Sequence, residues 1–146
     1  MKDRYIPRDP GFERRVRESF SRQHVMAMIG ASMTTVEPGI VEIELPWRSD
    51  LTQQDGYVHA GIVTTILDSA CGYAAFTLMP ADSSVLSVEF KVNLLAPASG
   101  KKIRARAEVK RSGRTLTVCS ADAFADETLC ATMLGTMFCL VKPKEK

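Results

Sequence analysis

The sequence predicts an α+β domain in which a curved antiparallel sheet wraps around one long central helix, and three patterns predict it. Residues 61–79 place Ile62, Val63, Ile66, Leu67, Ala70, Cys71, Ala74, Ala75 and Leu78 at helical spacing around more than one face. A helix that is apolar nearly all round is a buried one. Downstream, long runs alternate apolar and polar residues with the period of two that marks strands. Upstream, Phe12, Val16 and Phe20 stand four apart among charged neighbours, the pattern of an amphipathic helix on the outside of the fold.

In chain order, the flanking helix follows Pro7 and Pro10, runs toward Gly30, which can end it, and is expected to lie over the sheet. Residues 33–37 and 40–45, joined by the turn Pro38-Gly39, read as a hairpin with Glu42 and Glu44 on a wet face. A polar loop, residues 46–57, leads to the mouth of the central helix. Beyond it, Leu86, Val88, Phe90, Val92 and Leu94 alternate with Ser87, Glu89, Lys91 and Asn93, which puts Ser87 on the wet face of a strand. Residues 97–100 break that strand. Ile103, Ala105, Ala107 and Val109 mark the next, and residues 115–125 and 129–141 complete a meander. Long strands at an open edge favour dimerisation by sheet extension.

One domain over residues 1–146 accommodates this pattern, with 1–30 as an N-terminal helical extension and 142–146 as a charged tail. The hydrophobic content of 45% suffices for a core. A formal charge of +2 is too small to argue for nucleic acid. Cys71, Cys119, Cys130 and Cys139 form no CxxC and sit in apolar sequence, as buried reduced thiols do, so no metal site is expected and a cytoplasmic setting is. The amino end lacks the apolar stretch of a signal peptide, and no run reaches the length of a membrane span.

The chemistry concentrates in residues 53–72. Gly61, Thr64, Thr65, Asp68 and Gly72 recur at spacings of three and four, a single small and polar stripe down the buried helix. Asp68 is the carboxylate on that stripe, and an unpaired buried charge costs several kcal/mol, so it has either partners or a task. It stands about 10 Å up the axis from Gly61. The helix mouth, with its unpaired N–H groups, is suited to an oxygen that develops negative charge. Together the two suggest attack on a carbonyl.

Residues 53–68, written Q-x-x-G-x-x-H-A-G-x-x-x-x-x-x-D, followed by S-V-E-F-K-V-N-L-L-A-P-A, resemble the hotdog-fold acyl-CoA thioesterases of the phenylacetate-degradation type. The resemblance spans residues 20–141. It implies hydrolysis of a small to medium acyl or aryl-acyl CoA thioester without metal or nucleotide cofactor, coenzyme A being part of the substrate. In that family a turn residue, usually asparagine, helps hold the thioester carbonyl, and Gln53 stands in its place. A histidine matching His59 supports the turn, the backbone N–H of the next residue, Ala60, points at the carbonyl oxygen, and Gly61 matches the second glycine of the usual HGG. The acid matching Asp68 serves as nucleophile or general base. A serine or threonine on the following strand, here Ser87, positions water. The resemblance also implies a homodimer, or a dimer of dimers forming a homotetramer, with each site built across the dimer interface.

Blander readings stand beside these. Asp68 could cap hydrogen bonds inside an interface, His59 could be a satisfied helix-start residue, and Gln53 or Gln54 could be ordinary loop amides. The basic turn Lys110, Arg111 and Arg114 is a candidate for the phosphates of coenzyme A, or a solvated hairpin tip. Two other functions compete: a noncatalytic acyl-CoA binder, and a hotdog hydratase or dehydratase, for which Asp55 and His59 would supply the carboxylate and histidine.

Overall fold

The computed structural model describes residues 5–143. Two short helices, α1 (Phe12–Ser21) and α2 (His24–Ile29), precede a hairpin of β1 (Ser32–Glu37) and β2 (Ile40–Pro46). The long helix α3 (Ala60–Phe76) follows, then β3 (Ser83–Leu94), β4 (Lys102–Ser112), β5 (Leu116–Ala125) and β6 (Thr128–Val141). The six strands form one antiparallel sheet in the order β1-β2-β4-β5-β6-β3, and the α+β arrangement expected of a hotdog fold is present.

Side-chain size explains the wrap. Ala105, Ala107, Ala121, Ala123 and Ala131 cover much of the sheet's inner face, while α3 presents Ala70, Cys71, Ala74 and Ala75, and all are buried. Small residues on both surfaces let backbone approach backbone, so the sheet curls closely around the helix. Bulges between Met33 and Thr35, Ser87 and Glu89, Val109 and Arg111, and Ala123 and Phe124 add local bend.

The N-terminal extension differs from the expected single helix. Gly30 does end it, as a left-handed cap at φ 78°, but the run breaks earlier, where Gln23 adopts extended backbone. There the Gln23 side-chain oxygen accepts a hydrogen bond from Ser69 Oγ on α3 at 3.2 Å, and the turn lets Met26 and Ile29 enter the core. Rather than covering the sheet's face, α1 bridges the edge strand β1 and the C-terminal half of α3. Arg17 donates to the Met33 carbonyl of β1 at 3.2 Å, and the Phe20 and Tyr73 rings meet edge to face at 5.8 Å.

Arg15 closes the far end of α3. Its Nη2 donates to the carbonyl oxygens of Phe76 and Met79 at 3.2 and 2.9 Å, its Nε pairs with Asp9 at 2.7 Å, and its guanidinium lies 4.1 Å from the Phe76 ring centre. A cation on the last carbonyls of a helix opposes the negative end of its dipole.

Strand β3 corrects a second expectation. Continuous alternation would set Ser87 opposite Phe90 and Val92, on the wet side. The bulge after Ser87 shifts the phase: Ser87 pairs with Met137, Phe90 with Gly135 and Val92 with Met133, all three partners buried. Paired residues project to the same face, so Ser87 faces α3. Strand β3 ends the sheet order, and Leu86, Val88, Phe90 and Leu94 are all exposed along it.

Candidate active site

The loop of residues 47–59 delivers the chain to the mouth of α3. Gln53 staples this loop: its Oε1 accepts the backbone N–H groups of Asp55 at 2.6 Å and Tyr57 at 3.2 Å. His59 is the helix cap. Its backbone N–H donates to the Leu51 carbonyl at 2.9 Å, and its Nδ1 accepts the Gly61 N–H at 2.8 Å. A Cβ at position 61 would lie 3.1 Å from that same Nδ1, so glycine leaves room for the ring that caps it.

Of the first-turn donors, Gly61 is taken by the imidazole, and Ile62 and Val63 donate to the His59 carbonyl at 2.9 and 3.1 Å. The Ala60 N–H has no acceptor among the described residues. Ala60 lines a cavity of about 410 Å³, with Gln53 and Tyr57 on one side and Leu95, Pro97 and Cys130 on the other. Helix-start N–H groups are the natural seat for an anion or a polarised carbonyl oxygen.

Further along the stripe, Thr64 and Thr65 spend their hydroxyls on the Ala60 and Gly61 carbonyls, both at 2.8 Å. Asp68 is different. It is half-buried, its Oδ1 accepts from Ser87 Oγ at 2.7 Å, and it has no ion-pair partner among the described residues. It lines a second cavity, of about 280 Å³, together with Ser19, Arg22, Gln23, Tyr73 and Ser84. The strand register that turns Ser87 inward thus gives the carboxylate its hydrogen bond.

Burial sets the remaining chemistry. It pushes the Cys71 thiol far up, and the Cys119 thiol to about 12, so neither supplies a thiolate nucleophile. Burial also raises the pKa of the Tyr73 hydroxyl, an effect partly offset by the Ser19 hydrogen bond and by Arg22, and Tyr73 stays protonated.

The structure brings Asp68 and Ser87 together, gathers Gln53 and Ala60 at one cavity, and joins His59 to Gly61. It does not bring the two groups together within one chain, since Ala60 and Asp68 line different cavities. Lys110, Arg111 and Arg114 lie at the β4–β5 hairpin, with Lys110 paired to Glu108. Asp55 is engaged by the amides of Gln53 and Gln54 at 3.5 and 3.3 Å. Sequence reasoning missed Ser19, Arg22, Gln23 and Tyr73 as walls around the carboxylate. The polar residues Ser19, Arg22 and Gln23 of the N-terminal extension read as a solvated face with nothing local linking them to α3, and Tyr73 read as part of the buried helix.

Residues 55–132, more than half of the chain, match the Thioesterase superfamily. The chain belongs to the thioesterase superfamily. It shares 52% identity with a thioesterase family protein from Silicibacter pomeroyi, whose crystal structure superimposes with a TM-score of 0.89 over 90% of this chain and 100% of that one. A 1,4-dihydroxy-2-naphthoyl-CoA hydrolase from Listeria monocytogenes is 26% identical over 81% of this chain and 95% of its own. The PaaI protein of the phenylacetic acid degradation operon of Escherichia coli has the same fold, with a TM-score of 0.80 at 13% identity over 87% and 91% of the two chains. Within the thioesterase superfamily the chain is therefore a thioester hydrolase of the hotdog fold. No helix among the described residues is long and apolar enough to cross a membrane.

Proposed function

We propose that the protein hydrolyses a small to medium acyl or aryl-acyl CoA thioester, with Asp68 as general base or nucleophile. The observation that carries this reading is the Asp68 carboxylate: half-buried on the central helix, held by Ser87 at 2.7 Å, and open to a cavity rather than to a counter-ion. In the general-base route Asp68 takes a proton from water, whose oxygen adds to the thioester carbonyl carbon. The C–S bond then breaks, the sulfur takes the proton, and the products are a carboxylic acid and free coenzyme A. In the nucleophilic route an Asp68 oxygen adds first, and the C–S bond breaks to expel coenzyme A as a thiolate. Water then cleaves the resulting anhydride, freeing the carboxylic acid and Asp68 and supplying the proton that the thiolate takes. Either way negative charge gathers on the carbonyl oxygen, and the unpaired Ala60 N–H suits it. Gln53 and His59 shape that seat, and Ser87 orients the carboxylate.

The edge position of β3 suits a pairing of two copies that would build a site shared between subunits. Antiparallel self-pairing of an edge strand sets its first residues beside the last residues of its copy. Ser84 and Ser87, near the start of β3, line the Asp68 cavity, while Leu94 and Leu95, at its end, line the Ala60 cavity. Two-fold pairing thus juxtaposes one chain's carboxylate cavity with the other's helix mouth. The exposed apolar side chains of β3 fit burial in such an interface. For the nucleotide end we assign Lys110, Arg111 and Arg114. Their hairpin lies at the Asp68 end of the sheet, where Cys139 both pairs with Val85 and donates to the Thr115 carbonyl at 2.8 Å. The Listeria relative's aryl-acyl CoA substrate fits the same substrate class.

The test is release of free coenzyme A from a panel of acyl-CoAs. Asp68→Asn keeps the shape of the side chain and should lower kcat by about 10² to 10⁴. Equal release by wild type and variant would remove Asp68 from the mechanism, and binding without release by wild type would make the protein a carrier.

A further inference from the structure

The hydrolase reading leaves the acyl group open, and the walls of the Asp68 cavity bear on it. Those walls are rich in donors. The Arg22 guanidinium has no ion-pair or hydrogen-bond partner among the described residues. Gln23 spends its side-chain oxygen on Ser69, so its amide hydrogens remain. Ser19 and Tyr73 share one hydrogen bond at 3.2 Å, which leaves one of their two hydroxyl hydrogens unused. Asp68 is the acceptor-rich group of the cavity; Gln23 meets α3 beside it, at Ser69, and Ser19 meets α3 farther along, at Tyr73.

Open space runs from Asp68 toward the Ser19–Tyr73 pair. Gly72, one turn beyond Asp68, has nothing within 4 Å of where a Cβ would stand, so the floor between Asp68 and Tyr73 is open. Tyr73 lies five positions along the helix from Asp68, about 7–8 Å of axial rise. That is the reach of a short, extended acyl chain. Arg22 is exposed and hydrated, so an alkyl end there would displace water from Arg22, Gln23 and the Ser19–Tyr73 pair without replacing its hydrogen bonds, whereas an anion would replace them.

Resting on the hydrolase reading, we propose that the acyl group taken by this site carries a carboxylate at the end remote from the thioester, and that Arg22 is the specificity residue that binds it. The substrate class is the mono-CoA thioester of a short dicarboxylic acid, and the products are the free dicarboxylate and coenzyme A.

Adipoyl-CoA and hexanoyl-CoA, equal in carbon count, test this, with phenylacetyl-CoA as an aryl reference and enzyme-free controls for spontaneous loss. Wild type should favour adipoyl-CoA over hexanoyl-CoA in kcat/KM by about tenfold or more. Arg22→Gln should lose about 10- to 100-fold on adipoyl-CoA, mainly through KM, leave hexanoyl-CoA within about twofold, and be partly rescued by Arg22→Lys. Hydrolysis of hexanoyl-CoA or phenylacetyl-CoA at the adipoyl-CoA rate overturns this inference alone, as does an equal loss on both aliphatic substrates in Arg22→Gln. Release from none of the three overturns the hydrolase reading, and this inference with it.

Discussion

Asp68 and Cys71 sit on the same buried helix and are treated oppositely by their surroundings. The carboxylate opens to a cavity and takes one hydrogen bond, whereas the thiol is enclosed and held protonated. The same holds for Cys119, whose thiol burial pushes up to about 12 against about 8.5 in an unfolded chain. The folded state therefore keeps a proton that the unfolded state gives up. The stability this contributes is intact below about pH 8.5 and declines as pH rises toward the folded value, by at most about 1.4 kcal/mol per pH unit for each such thiol. Melting temperatures measured from pH 7 to 10 should fall, and the slope should be shallower in Cys119→Ala. An unchanged slope would locate the alkaline sensitivity elsewhere. Ser87 teaches a different lesson about single residues. Its alternation with Leu86 and Val88 is plain in the sequence, yet one bulged residue reverses the face it presents, and bulges leave no mark on a hydropathy pattern.

Among the elements, α3 is the most legible, because a run that is apolar on nearly every face has only the interior to go to. Its polar stripe marked Asp68 as exceptional before any coordinates. What local pattern could not supply is how its two ends are finished. His59 caps one end, and Arg15, from an element 61 residues away in sequence, caps the other. The break between α1 and α2 is of the same kind, since the Ser69 hydroxyl that meets Gln23 lies 46 residues downstream. Replacing Arg15 by alanine should uncap the Phe76 and Met79 carbonyls, remove the packing on the Phe76 ring and cost about 2–3 kcal/mol. Thermal melting should then shift down by roughly 5–10 °C. A shift under about 1 °C would mean that the carbonyls find equivalent partners in water.

For the molecule as a whole, Ala60 and Asp68 line different cavities, and the proposed mechanism therefore requires assembly. Mixing Asp68→Ala chains with Gln53→Ala chains should restore about a quarter of wild-type activity at equal ratio: half of the dimers are mixed, and each has one intact site. Restoration should follow subunit exchange, and active monomers would sink the shared-site reading. The opposite border of the sheet limits how far such an assembly extends. Strand β1 has only six residues, is kinked by its bulge after Met33, and has the Met33 carbonyl already claimed by Arg17 of α1. In the proposed pairing, joining at β3 would consume the long, inviting border of each chain and leave blunt margins outermost, so the ribbon would stop at two chains instead of lengthening into a filament.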